Sequence, residues 1–175
     1  MDLDEFNTAD PADATAVVRV WASVPGWVDA VVAGRPYASV GALAAYAGAL
    51  AATWAPADLE AALASHPRIG ARVTGAGAEA AASRREQASM SAAGDDVTAA
   101  IAAGNAAYEE RFGRVFLIRA AGRTPTEMLA ELQRRIGNSP DVETAEATAQ
   151  LAEIALLRLR STISDDSAPT PEEAE

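Results

Sequence analysis

Residues 105–118 read NAAYEERFGRVFLI. Ile101, Asn105 and Tyr108 recur at helical spacing, and Phe112-Gly113 offers the apolar last turn and the glycine that stop a helix. The run that follows, VFLI at 115–118, is the one convincingly strand-like stretch, yet nothing else in the chain offers it a sheet. It therefore reads as extended chain buried between helices. The expectation is an all-α fold, a compact single-domain bundle of about eight helices with one buried extended segment.

Towards the N-terminus, Asp10-Pro11 opens a helix to about Trp21, and Pro25-Gly26 separates it from WVDAVVAG, which stops at Gly34. Ser39 caps a helix with Val40, Leu43, Ala44, Ala47 and Leu50 on one face. Pro56 and Asp58 open the next, which must end at or before His66 because Pro67 disfavours a helical predecessor. Gly70 to Gly77 reads as a flexible connection, and Ser83-Arg84-Arg85-Glu86 as the capping box of a new helix start. Asp96 or Thr98 begins the long helix that leads into the opening stretch. Beyond it, Thr124-Pro125-Thr126-Glu127 is a second capping box whose helix ends at Gly137-Asn138. Ser139-Pro140 starts the last helix, through Ile154, Leu157 and Arg158 to about Ile163. The helical domain is thus 1–163, and 164–175, SDDSAPTPEEAE, reads as a disordered acidic tail.

Composition narrows the chemistry. A net charge of -11 argues against a nucleic-acid or anionic-membrane partner, both of which need positive fields, and leaves a small molecule or another protein. All 14 basic residues are Arg, which excludes Schiff-base lysine chemistry. The absence of Cys, with a single His, removes thiolate nucleophiles and argues against a transition-metal site. The acidic N-terminus has no apolar run of signal-peptide type, so the expected location is the cytoplasm.

His66 is the one side chain whose ordinary pKa lies near neutrality, which makes it the first candidate for proton transfer; a plain alternative is a histidine stabilised at a helix C-terminus. Glu86 reads as the partner of Ser83 in the capping box or as a polar site residue. Gln87 matches a urea-like ligand or is an exposed helix residue. Tyr108, Phe112 and the three Trp read as core, and Arg134, Arg135 and Arg160 as solvated helix surface.

These motifs together resemble the OHCU decarboxylase family, which acts on 2-oxo-4-hydroxy-4-carboxy-5-ureidoimidazoline. The likeness runs in order through Phe6-Asn7, Trp27, Arg35-Pro36-Tyr37, HPRIG at 66–70, SRREQ at 83–87, NAAYEERFGRVFLI, RRIGN at 134–138 and IALLRLR at 154–160. Two stretches depart from it: Gly70 to Gly77, and Ala88-Ser89-Met90-Ser91-Ala92 where many relatives carry Gly and then Leu. The resemblance implies an all-helical, cofactor-free, commonly dimeric enzyme that converts OHCU to (S)-allantoin and carbon dioxide. It implies that His66 donates the proton and Glu86 joins it in catalysis. Pro67, Ser83, Arg84, Arg85, Glu86, Gln87, Phe116, Leu117, Ile118, Arg119 and Ala120 would then shape the substrate site, with Arg158 as a possible two-pronged clamp on the carboxylate. A peroxisomal address of the S-K-L type, found in some relatives, is not matched by Glu173-Ala174-Glu175.

The chemistry accords with a chain lacking Lys and Cys. In OHCU the carbon bearing the carboxylate adjoins a carbon doubly bonded to nitrogen, so the substrate carries its own electron sink and needs no cofactor to supply one. Glu86 would orient His66, hydrogen-bond the ureido N–H groups or destabilise the carboxylate, and hydrogen bonding is the reading favoured here. Two other functions stand beside this one: a non-catalytic helical binding module, and a decarboxylase of a related ureido or hydantoin-like acid.

Overall fold

The structure, a computed structural model, describes residues 1–64, 66–71 and 77–165. Among these are nine α-helices: α1 (Leu3–Thr8), α2 (Pro11–Trp21), α3 (Pro25–Ala33), α4 (Val40–Ala51), α5 (Pro56–Leu63), α6 (Ala78–Glu86), α7 (Asp95–Phe112), α8 (Pro125–Ile136) and α9 (Pro140–Thr162). A 3-10 turn, Ala88–Ala92, joins α6 to α7. The all-α expectation holds. Residues 72–76 of the expected Gly70 to Gly77 connection, and the tail from 166 onward, lie outside the described residues.

Local chemistry sets most boundaries. The hydroxyls of Ser39, Thr124 and Ser139 accept from the backbone N–H of Ala42, Glu127 and Val142, which satisfies donors that the first helical turn leaves open. Pro lies at the first turn of α2, α3, α5, α8 and α9, where its missing N–H costs nothing. Gly113 ends α7 in the left-handed conformation at φ 68°.

Three elements differ from the sequence reading; one is α3, which begins at Pro25 and so takes in the Pro25-Gly26 pair expected to precede it. Helix α1 was not expected, being one short turn beyond the start of the chain; Asp2 and Glu5 form a reciprocal capping box at 2.7 and 3.0 Å that holds it. Helix α6 begins at Ala78, with Gly77 as its N-cap, so Ser83 and Glu86 lie in its last turns and not at its start. The alanine-rich run is itself a good helix former. Spacing of i, i+3 places two side chains on one face anywhere in a helix, which is why the same pattern imitates a cap.

The helices enclose two apolar clusters. The larger gathers α1 to α5 and α9 around Phe6, Trp21, Leu43, Leu59, Leu151 and Leu159, all fully buried. Phe6 lies between the Trp21 and Tyr37 rings at 5.7 and 6.5 Å. Asn7 and Tyr37 exchange side-chain to backbone hydrogen bonds at 2.8 and 2.9 Å, and Arg35 donates to the Phe6 and Ala9 carbonyls. The motifs Phe6-Asn7 and Arg35-Pro36-Tyr37 therefore act on each other as a tie between α1 and the α3–α4 connection. The smaller cluster unites α7 and α8 through Ile101, Tyr108, Met128 and Leu132.

Residues 115–120 run between the two clusters without belonging to any helix. Val115 and Leu117 pack on the larger, whereas Phe116, Ile118 and Ala120 pack on the smaller. This is the period of two that extended chain imposes. The folded unit also reaches past Ile163: Ser164 accepts from Leu3 N–H at 2.9 Å, and the Asp165 carboxylate accepts from Val40 N–H at 2.6 Å. Those two residues of the expected tail are held because each satisfies a backbone donor elsewhere.

Two glycines of opposite kind give a check on this backbone. Gly113→Ala should lower stability by about 1–2 kcal/mol, because a Cβ is unfavourable at positive φ even in open space. Gly26→Ala, in the first turn of α3 with nothing within 4 Å of the added carbon, should be neutral or stabilising by up to ~1 kcal/mol. Urea midpoints compared at equal slope decide it; equal effects would mean that α7 does not end as described.

Candidate active site

The site is built where three connections meet. Helix α5 ends at Leu63, and His66 follows with its backbone N–H on the Leu63 carbonyl at 3.1 Å. The loop after it is tied down at three successive residues, 68 to 70. Arg68 forks onto Glu109 at 2.5 and 2.8 Å, Asn105 donates to the Ile69 carbonyl at 3.0 Å, and Gly70 N–H donates to Gln87 Oε1 at 3.0 Å. Gly70 has φ 76°, a conformation that favours glycine. Gln87, with its carbonyl engaged by Gly70, has its amide N–H groups to offer a ligand.

Across the loop stands the end of α6. Arg158, at 4 % exposure, directs Nε to Glu86 Oε1 at 2.6 Å and Nη2 to Oε2 at 2.8 Å. Its Nη2 also reaches Ser83 Oγ at 3.3 Å, and Nη1 donates to the Val20 carbonyl at 2.9 Å. The expected two-pronged clamp exists, but its fork holds Glu86. Arg158 thereby fixes a carboxylate in place and sets a positive charge behind it.

The third wall is the extended segment. Arg119 N–H donates to Gln150 Oε1 at 2.9 Å, and the Leu117 carbonyl accepts from Arg135 at 2.7 Å. His66, Pro67, Ser83, Glu86, Gln87, Phe116, Leu117, Ile118 and Ala120 converge on one void of about 20 Å³, joined by Ile69 and Ile154. That is room for a water molecule. Larger depressions share a side chain with it: one of about 270 Å³ at Glu86 and one of about 380 Å³ at Gln87. A ligand of substrate size fits only if the side chains between void and depression shift.

Of the residues predicted for the site, four stand off the void. Arg85 and Arg84 line the two depressions, Arg119 turns its guanidinium to Glu153 and the Ala121 carbonyl, and Arg158 backs Glu86.

The environment of His66 is set by burial first. Loss of hydration disfavours the imidazolium, the Arg158 charge acts the same way, and the Glu86 carboxylate opposes both; together they pull the imidazole down to about 4. His66 is therefore neutral at pH 7. A bound anion would add a second opposing charge and raise it.

The sequence from 7 to 160 matches the family model described as OHCU decarboxylase. The chain belongs to the OHCU decarboxylase family. It is 36% identical over 138 residues to 2-oxo-4-hydroxy-4-carboxy-5-ureidoimidazoline decarboxylase of Amia calva, covering 77% of this chain and 78% of that one. It is also 41% identical over 61 residues to the uric acid degradation bifunctional protein TTL of Arabidopsis thaliana, covering 35% of this chain and 19% of that protein. Among solved structures it resembles OHCU decarboxylase in the presence of (S)-allantoin, with TM-score 0.70 at 24% identity over 82% of this chain and 94% of that one. It further resembles (S)-allantoin synthase, with TM-score 0.66 at 19% identity over 93% of this chain and 54% of that one. These two likenesses establish the fold.

Within this OHCU decarboxylase family fold, Ile69, Asn105, Glu109 and Gln150 were not singled out by the sequence as site or supporting residues. Asn105 had a signal, being an amide at helical spacing between Ile101 and Tyr108 on what is otherwise an apolar stripe. Gln150 had none, since its partner is a backbone N–H more than thirty positions away.

The depressed pKa gives a stability signature. The unfolded chain takes up a proton at His66 near pH ~6.5 and the folded chain only near 4, so protonation favours unfolding between these values. Relative to His66→Gln, the wild type should keep its full stability above pH ~6.5. It should then lose up to about 3 kcal/mol as the pH falls towards 4, and no more below. Urea midpoints for both chains at pH 7.5, 5.5 and 4.5 measure it, and parallel curves would show His66 to be ordinarily solvated.

Proposed function

We propose that the chain decarboxylates OHCU to (S)-allantoin and carbon dioxide, without a cofactor, at the void between His66, Glu86, Gln87 and residues 116–120. The observation that carries this reading is the convergence of the single imidazole with a fixed carboxylate and the Gln87 amide, held through its oxygen by Gly70, on a wall of extended backbone. Family membership supplies the reaction class.

The residues divide the work as follows. The ureido group and ring amides of OHCU need acceptors and donors, which Glu86 and the Gln87 amide present. The substrate carboxylate raises the His66 pKa on binding, so the imidazole takes a proton from solvent. The C–CO₂ bond then breaks and its electron pair moves towards the neighbouring C=N group. His66 gives its proton to the carbon of that group from one side only, and the hydroxyl proton passes to the ring nitrogen as the hydroxyl becomes a carbonyl. One proton is consumed and one stereocentre is set. Departure of carbon dioxide removes the negative charge, and His66 remains neutral, ready for the next turnover.

The same reading includes a homodimer in the cytoplasm, open to sedimentation velocity and cell fractionation.

Circular dichroism of allantoin formed from fresh OHCU tests the activity. Wild type should produce one enantiomer faster than the spontaneous racemic course. His66→Gln should slow that by about 10²–10⁴-fold while the fold persists. Glu86→Gln should lower both binding and rate. A wild type that leaves the spontaneous course unaltered would overturn the decarboxylase reading in favour of a binding module or another ureido acid.

A further inference from the structure

Arg135 was expected on the solvated surface of α8 and is instead 2 % exposed, against Glu143 at 0 %. Two buried charges carry a heavy desolvation penalty, and an apolar pair of the same size would often serve stability as well. The arrangement around them is specific. Arg135 directs Nε and Nη2 to the Glu143 carboxylate, which also accepts from the Tyr108 hydroxyl and, at 2.8 Å, from Asn138 Nδ2. Its Nη1 is left to reach the Leu117 carbonyl at 2.7 Å. Its guanidinium carbon lies 4.7 Å from the centre of the Phe116 ring. Neither Arg135 nor Glu143 lines the void, yet Leu117 and Phe116 do; beyond these and Glu143, Arg135 Nε also lies 4.0 Å from the Glu146 carboxylate.

We propose that Arg135 is a positioning residue: aimed by Glu143, it fixes the Leu117 carbonyl and the Phe116 ring, and through them the wall that orients substrate beneath His66. The proposal rests on the decarboxylase reading above. An extended segment without a sheet has few ways to hold its backbone. Here Arg135 holds the Leu117 carbonyl and Gln150 the Arg119 amide, two residues apart. Loss of the first grip lets the chain turn about the second, and the void, defined by four side chains of this segment, changes shape. Only a planar fork can bind a carboxylate with two nitrogens, stack on a ring and still give a third nitrogen to a carbonyl; a lysine ammonium keeps the charge and loses this division.

Two variants test it. Arg135→Lys keeps Glu143 neutralised, while Arg135→Met combined with Glu143→Gln removes both charges, so neither leaves a buried ion alone. Both should fold by cooperative urea unfolding. Both should raise KM for OHCU about tenfold with a smaller effect on kcat, reduce the enantiomeric purity of the allantoin, and speed exchange of the Arg119 amide at least tenfold. Amides within α8 should keep wild-type exchange. Arg134→Met, on the exposed side of the same turn, should alter none of these. Folded variants with wild-type KM, product purity and Arg119 exchange would overturn the proposal. A wild type inactive on OHCU would instead overturn the decarboxylase reading, and Arg119 exchange would still decide whether Arg135 holds the segment.

Discussion

A stretch of extended backbone buried among helices must find partners for its peptide groups outside any sheet, and this requirement governs the structure around residues 115–120. Side chains from α8 and α9 meet it: Arg135 takes the Leu117 carbonyl and Gln150 takes the Arg119 amide. The segment in turn separates the two apolar clusters and contributes to both. The candidate site lies on that seam, where an α5 exit, an α6 end and unhelical backbone come within reach of one small void.

Helix α9 links these demands. Near its start Glu143 aims Arg135 at the extended wall, and near its end Arg158 holds Glu86 and Ser83 of α6. The two buried charges are separated by about 22 Å along the axis at 1.5 Å per residue. One rigid element therefore sets two walls of the site, and each attachment is a fork onto a carboxylate, which fixes angle as well as distance. Glu86 is correspondingly a group with a defined orientation, whereas His66 acquires its neutrality from being enclosed.

Much of this was legible in the residues. The hydroxyls and prolines at helix starts act on their immediate neighbours, so Ser39, Thr124 and Ser139 mark their boundaries without reference to the rest of the chain. His66 past the end of α5 follows from Pro67 alone. Phe116 to Ala120 as unpaired extended chain follows from the lack of a partner strand. The failures share one cause, dependence on distant residues. Arg135 looks like surface because its carboxylate partner belongs to another helix. For Arg158, read as a possible clamp on the substrate carboxylate, nothing local tells that its fork also meets Glu86. The SRREQ motif imitates a helix start because three-residue spacing has the same geometry at either end. The site residues were gathered by their family pattern, and the physical reasons for their grouping became visible only with the helices in place.

The alternation of Val115 and Leu117 with Phe116, Ile118 and Ala120 bears on how this chain can vary in length. Loss or gain of one residue within 115–120 would exchange inward-facing side chains between the two clusters and move the Leu117 carbonyl to the side away from Arg135. A change of two residues would restore the facing but misplace the grip by a full repeat. Length variation is thus barred from the seam on geometric grounds, while the exposed turn at Gly122, left-handed and with nothing within 4 Å of where a Cβ would stand, has space to absorb it.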